Sequence, residues 1–545
     1  MSRTSPSSIG VDAMPIDRPP SGAARSGDTW RADRWATVGI SIVILYTLIR
    51  NVLVAAGRPF WFDELNTVIV AGQPTLGKVW YALRHAEDSA PLLYVLVEHV
   101  CSRLIPRAEI AYRVPSILAC ACILWCLFVF IRTRSGPGVA FVCAALPLFT
   151  QIYWRYSVEA RSYECVVACT AIALVCYQRV DQERWVIGLA ASLFAAGAFH
   201  YYGFFVLAPF FVAEFVQAIK TRAVRWGVWL AIASGFLPMA AAYPILRQIK
   251  QFYGAHFWGQ PTWAVVWNMY GRTPFRASLI AMVVLAIMSV VTIFVPVWRR
   301  IDVHSELFSA NEHVVAIVLI ALPVLEYVGI KLVHGALTMR YALALILGVS
   351  IAVSYSLRFL GRWVVVPAVV AMLLLIVGQE VFQWKDRLPL PGQLMSQTNS
   401  FEKLAAAAGH TDLPIVVSDG EAYTPLAYYA SPDWRVRLVG LADPPSSVAY
   451  AGSDSVDRQM IALSCCFALR VYDFRVFASE YPSFLLYSDG ADFDYWPRRL
   501  VADKYDLQVL VSDHNQKVYL VNRPTGATAA LKDKETDDRG IHDGN

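Results

Sequence analysis

The chain has 545 residues, 57% of them hydrophobic and only 16% charged, with a formal net charge of +5. A soluble domain carries about 25% charged residues, so this deficit, with repeated apolar runs near 20 residues, argues against a soluble protein and for a polytopic membrane protein. No basic face with interleaved aromatics is present, which argues against nucleic-acid binding. The ten cysteines form no CxxC pair of metal spacing outside an apolar run, so neither zinc nor a disulfide framework is expected.

Residues 1–34 are rich in Ser, Pro and Gly and hold five arginines, the composition of a disordered cytoplasmic tail. The first apolar run, 35–56, is long and shows no small-residue cleavage site, so it reads as an uncleaved signal anchor. Further spans are expected at 114–131, 137–154, 160–178, 185–200, 203–219, 226–246, 277–298, 313–333, 341–358 and 363–381, about eleven in all. Segment 91–105 is also apolar, but it is short and carries Glu98, His99 and Arg103. A crossing needs about 20 residues with few charges, so this segment is expected to lie along the membrane surface.

The distribution of basic residues supports that choice. With 91–105 not crossing, the loops holding Arg132 and Arg134, Arg179 and Arg184, Lys220, Arg222 and Arg225, Arg299 and Arg300, and Arg358 and Arg362 all share the cytoplasmic face with the N-terminal tail. A crossing there would turn every one of them outward. The outer face then carries the loop 57–113, segment Glu159–Tyr163, His200-Tyr201-Tyr202-Gly203, the loop 247–276, Met339-Arg340-Tyr341 and everything beyond about 385.

From 385 to 524 the character changes to turn residues and short β-branched or aromatic runs, at Leu413–Ser418, Arg435–Gly440, Ser483–Ser488, Leu507–Ser512 and Lys517–Asn522, with amphipathic stretches such as 399–408 between some of them. This pattern predicts a small extracytoplasmic α/β domain. It follows an all-α polytopic membrane domain over 35–384, and residues 525–545 read as a second disordered tail. No repeat of 20–50 residues indicates a solenoid.

Chemistry is expected where charges sit against the membrane rules. Asp63 and Glu64 are adjacent carboxylates at the outer end of the first span, where such groups need a reason. They could serve only to complement the dipole of a surface helix. They could instead supply a general base and a partner for a cation or an acceptor hydroxyl. Arg113, Arg161 and Arg340 lie at outer span ends. Each could snorkel alone, but together they suggest an anion site, because guanidinium stays charged and grips phosphate bidentately. Glu159 could pair with Arg161. His200 and Tyr201 could line a pocket or belong to an interfacial aromatic belt. Lys250, His256 and Trp258 are weaker candidates, and Glu326 inside a span invites a functional role or a buried hydrogen bond.

Several motifs in order resemble one family. "RPFWFDELNTVIVAG", "DSAPLLYVLVEHVCSRLIPRAEIAYRVPSILA", "YSVEARSY", "HYYG" and "MRY" look like the polytopic glycosyltransferases of the GT-C fold, in the bacterial branch near the dolichyl-phosphate-mannose–protein mannosyltransferases. The resemblance spans roughly residues 35–350. It implies that Asp63 is the catalytic acid of the first outer loop, with Glu64 beside it, and that Arg113 contacts the lipid phosphate. The loop after the seventh span is only about 30 residues, without the large inserted domain of the eukaryotic protein mannosyltransferases. The expected function is transfer of a sugar from a polyprenyl-phosphate donor to a glycan, lipid or protein hydroxyl at the outer face of a bacterial inner membrane. The absence of a glycine-rich phosphate loop on the inner face fits a lipid-linked donor. A divalent cation is an open possibility. The rival reading is a transporter or flippase for a lipid-linked saccharide, which would use intramembrane charges as a substrate path.

Overall fold

A computed structural model of the chain describes residues 23–85, 90–253, 256–272, 309–333, 335–357, 374, 396–464, 466–491 and 493–524. The described part consists of apolar helices followed by a small mixed sheet. The expected spans 277–298 and 363–381, the basic loops at 299–300 and 358–362, and the tails 1–22 and 525–545 lie outside the described residues.

Four helical stretches are long and apolar enough to cross a membrane: Asp33–Gly57, Ala108–Ser135, Tyr201–Thr221 and Trp226–Phe252. A fifth crossing is possible through Ala310–Ile320 and Leu322–Val333, which meet at a bend of 59°. Pro323 sits in the first turn after that bend, where it removes an N–H from the helical ladder and clashes with the preceding turn. Other expected spans appear as shorter helices, Pro137–Phe149, Tyr163–Tyr177 and Tyr341–Tyr355. Pro147 converts the end of the first of these to a 3-10 turn. Length and composition thus give four or five full crossings among the described residues, against the eleven expected over the whole chain.

After α1 (Ala23–Gly57), the loop 57–113 folds into four short helices, α2 (Phe62–Ala71), α3 (Leu76–Arg84), α4 (Leu92–Leu104) and α5 (Ala108–Ala111). Helix α4 has 13 residues, about 20 Å at 1.5 Å per residue, too short for a hydrocarbon core of about 30 Å. It stays with the loop: His99 Nδ1 bonds to Ala71 O at 2.7 Å, and Arg103 donates to Gln73 O and Pro74 O at 3.2 Å each.

Ion pairs tie the helix ends together. At one end Arg132 meets Asp33 at 3.3 Å and Arg134 meets Glu312 at 3.2 Å, while Gln178 Nε2 donates to Glu312 at 2.9 Å. These contacts bring the loop of Arg132 and Arg134 together with the end of the N-terminal tail and with Gln178, which precedes the Arg179 and Arg184 loop. Arg58, Arg113, Arg161 and Arg340 gather at the opposite end.

The C-terminal sheet has the order β3-β2-β1-β4-β6-β5. Strands β1 (Ile415–Val417), β2 (Leu438–Ala442), β3 (Val471–Asp473) and β4 (Ser483–Ser488) are parallel, and β5 (Asp506–Asp513) and β6 (Gln516–Asn522) close it antiparallel. The central strands are apolar throughout because helices cover both faces. Val416, Val439, Phe484 and Leu486 pack with Trp496 on one side. On the other, Ile415, Val417, Leu485 and Tyr487 belong to the same continuous apolar cluster as the membrane helices. Five strands coincide with runs legible in the sequence; β3, three residues long, does not.

Candidate active site

Helix α2 opens on the acid pair, and its geometry sends the two carboxylates to different partners. Glu64 is fully buried. Its Oε1 accepts from Arg113 Nε at 2.8 Å and from Ala160 N at 2.7 Å. Its Oε2 accepts from Arg113 Nη2 at 2.7 Å and from Trp61 N at 3.3 Å. Burial alone would push this carboxyl up, but the Arg113 guanidinium, helped by Arg58 and the Ala160 N–H, more than reverses that and holds it below its usual range.

Arg113, also fully buried, completes its valence on backbone: Nη1 donates to Ala55 O at 3.0 Å and Arg58 O at 2.6 Å, and Nη2 to Pro59 O at 2.9 Å. All five guanidinium N–H groups are therefore occupied. This geometry departs from the expectation that Arg113 contacts a lipid phosphate, since no donor remains for one. Arg113 and Glu64 form a clamp that closes the loop 57–113 onto the end of α1. Glu159 joins this layer through Arg58 at 3.3 Å and Arg155 at 2.8 Å, not through Arg161.

Asp63 turns the other way and forms an ion pair with Arg340 Nη1. Arg161 Nη1 donates to the Asp63 carbonyl at 3.0 Å and to Thr67 Oγ1 at 2.8 Å, and its Nη2 reaches Tyr163 OH at 3.4 Å. Burial would raise the Asp63 carboxyl, but Arg340, Arg161 and Arg155 together outweigh it, so the group is held below its usual range and is a carboxylate at neutral pH.

Arg340 is only 9% exposed, and its Nε has no hydrogen-bond partner among the described residues. Its guanidinium lies near the rings of Tyr163 and Trp258, at 5.3 and 5.7 Å from their centroids. Beyond it lies a cavity walled by Tyr163, His200, Tyr202 and Tyr341, with Val166 and Val206 behind. The rings pack closely: His200 to Tyr163 at 5.2 Å, His200 to Tyr341 at 5.1 Å, and Tyr202 to Tyr341 at 4.4 Å. His200 Nδ1 accepts from Tyr202 N at 3.1 Å, which assigns the ring proton to Nε2 when the imidazole is neutral. Gly203 makes this corner possible, because a Cβ there would lie 2.1 Å from Ala196 O.

Four residues singled out from the sequence thus meet: Asp63, Arg161, Arg340 and His200. Tyr201 does not line the cavity; its neighbour Tyr202 does. Lys250 donates to Val333 O at 3.2 Å, and His256 is exposed. Glu326 is buried in the bent helix pair. Sequence reasoning missed Tyr163 and Tyr341, although both lie within two residues of an arginine it had chosen. No group of three or more His, Cys, Asp or Glu side chains suited to a metal occurs among the described residues. Asp63 is matched by arginines, and Glu64 faces away from it, so the pair does not offer one cation two carboxylates.

No family model matches the chain, and no curated protein matches it. Solved structures do. ArnT from Cupriavidus metallidurans bound to undecaprenyl phosphate is similar over 88% of this chain and 97% of its own, at 13% identity and a TM-score of 0.49. The apo state of the same protein is similar over 93% and 99%, at 12% identity and a TM-score of 0.43. The Archaeoglobus fulgidus oligosaccharyltransferase in complex with zinc and sulfate is similar over 81% of this chain and 67% of its own, at 10% identity and a TM-score of 0.41. With four helices, or five if the bent pair is one span, long and apolar enough to cross a membrane among the described residues, the chain is a multi-pass membrane protein.

Proposed function

We propose that the chain is a membrane glycosyltransferase that moves a hexose or pentose from a polyprenyl-phosphate donor to an acceptor hydroxyl of a glycan, lipid or protein. The observation that supports this best is the contact of Asp63 with Arg340, which lines the aromatic cavity, a carboxylate and an anion-binding group side by side. The donor phosphate approaches Arg340, whose Nε is unengaged, and draws the guanidinium away from Asp63. Asp63, relieved of its ion pair, becomes more basic and takes the acceptor's proton. The acceptor oxygen bonds to the anomeric carbon as the carbon–oxygen bond to phosphate breaks, and polyprenyl phosphate leaves with the electron pair. The anomeric centre inverts. The tyrosine and His200 rings offer apolar faces to the sugar. Arg113 and Glu64 hold the loop and touch neither substrate.

The test uses purified protein and a radiolabelled polyprenyl-phosphate sugar. Release of free polyprenyl phosphate with label on the acceptor is the expected result; movement of unaltered lipid across a bilayer would instead make the chain a transporter. Arg340→Ala should raise the donor KM about ten- to a hundredfold, since a hydrogen bond to a charged group contributes roughly 1.5–3 kcal/mol. Lys should restore only part of it. The pH profile carries a second signature. The acid limb of kcat/KM, which reports the free enzyme, should follow the Asp63 titration, and Arg340→Ala should move it to higher pH, because Arg340 is the foremost of the three arginines that lower the carboxyl. A limb that stays in place removes Asp63 from that role.

The site faces outward, in a bacterial inner membrane, in this reading. The basic loops gathered at the opposite helix ends support it. A reporter fused at Asn515 should be silent in the cytoplasm; a cytoplasmic signal there overturns the orientation.

A further inference from the structure

The C-terminal sheet meets the membrane helices through the end of the helix Gly420–Tyr429, and it lands on the turn that delivers Asp63. Tyr429 OH accepts a 2.9 Å hydrogen bond from the backbone N–H of Phe60. Tyr428 meets the Phe60 ring edge-on, with centroids 6.1 Å apart. Phe60 is 1% exposed, and its ring lies 4.8 Å from the Arg113 guanidinium carbon.

The turn from Arg58 to Trp61 has no regular structure of its own, so its backbone partners decide its shape. Arg58 O and Pro59 O accept from Arg113, and Trp61 N donates to Glu64. Phe60 N donates to Tyr429. Three of these four groups answer to the Arg113–Glu64 clamp, and the fourth answers to the C-terminal domain. At the other end of α2, Gln73 Nε2 donates to Cys466 O at 3.2 Å. The helix that carries Asp63 is therefore braced at both ends from the same domain.

We propose that Tyr429 is a positioning residue for the transfer reaction: its hydroxyl, presented by the C-terminal domain, fixes the Phe60–Trp61 turn and so the place of Asp63 opposite Arg340. This rests on the reading of Asp63 as the base. Tyr429→Phe keeps the ring and removes the acceptor, leaving a buried N–H without a partner. A displacement of about 1 Å in a reacting group can lower a rate by about 10²-fold.

The experiment is single-turnover and steady-state transfer with the full chain at matched folded amounts, in four forms: wild type, Tyr429→Phe, Asp63→Asn and the double variant. The expected result is a fall of about ten- to a hundredfold in kcat for Tyr429→Phe with donor KM within about twofold of wild type, and no further loss when Tyr429→Phe is added to Asp63→Asn. An equal loss in both backgrounds means the hydroxyl supports the fold and not the base, and overturns the proposal. Unchanged kinetics overturn it too. If Asp63→Asn itself transfers at the wild-type rate, the base assignment fails, whatever Tyr429→Phe does. If Tyr429→Phe does not reach a folded yield, Gln73→Leu cuts the second brace and is measured in the same two backgrounds, with a smaller loss expected in the first and none in the second.

Discussion

Replacing Asp63 by asparagine should lower turnover by about 10²–10⁴-fold, the usual contribution of a general base. Asparagine keeps the size of the side chain and can still meet Arg340, but it cannot accept a proton. Its position near the start of α2 gives a competing account, in which the acid only complements the helix dipole. That account predicts a stability change below about 1 kcal/mol and normal turnover. The two are separated by transfer from a radiolabelled polyprenyl-phosphate donor in detergent, with wild type and Asp63→Asn compared at equal folded amounts. Wild-type transfer by the variant would falsify the catalytic assignment. Donor binding should survive, because Arg340 and Arg161 remain.

Arg113→Ala should fail in a different way. Removing one partner of a buried ion pair typically costs about 3–5 kcal/mol, because the other charge stays buried and uncompensated. Here Glu64 would be stranded, and the carbonyls of Ala55, Arg58 and Pro59 would lose their donor. The expected result is a sharp fall in folded yield and in thermal stability in detergent, with a near-normal donor KM in whatever protein folds. Lys could replace few of the five hydrogen bonds and should rescue little. Normal stability with a weakened donor KM would return Arg113 to the phosphate and remove it from the clamp.

These two residues mark what the sequence can and cannot disclose. A charge at a membrane boundary is visible in the sequence, so Asp63, Arg161 and Arg340 stood out from three separate segments. Which of a guanidinium's donors are already engaged is not visible. Arg113 takes three backbone carbonyls, and any residue supplies a carbonyl, so nothing in the sequence distinguishes it from Arg340. Tyr163 and Tyr341 were hidden for a related reason. Aromatic residues at span ends are common as interfacial anchors, and only the convergence of three chain segments turns these rings into a wall. The bend at Pro323 lies within one unbroken apolar run, so hydropathy alone showed a single span. Strand β3, as short as β1 but only partly buried, carries no continuous apolar run. Strands β1, β2 and β4 were legible because burial on both faces forces continuous apolar runs.

The hydrogen bond from Phe60 to Tyr429 joins residues 369 positions apart, and the pair Asp63–Arg340 joins residues 277 apart. A chain is made and inserted from its N-terminus, with early segments in place long before late ones exist. The loop 57–113 therefore waits with its acid in place but its geometry unfinished. Arg340 arrives only after most of the helices, and Tyr429 only once the last third of the chain has reached the same side. A half-made or truncated copy would lack the contacts that aim the acid, and would stay silent. Biogenesis itself, in this arrangement, acts as the safety catch.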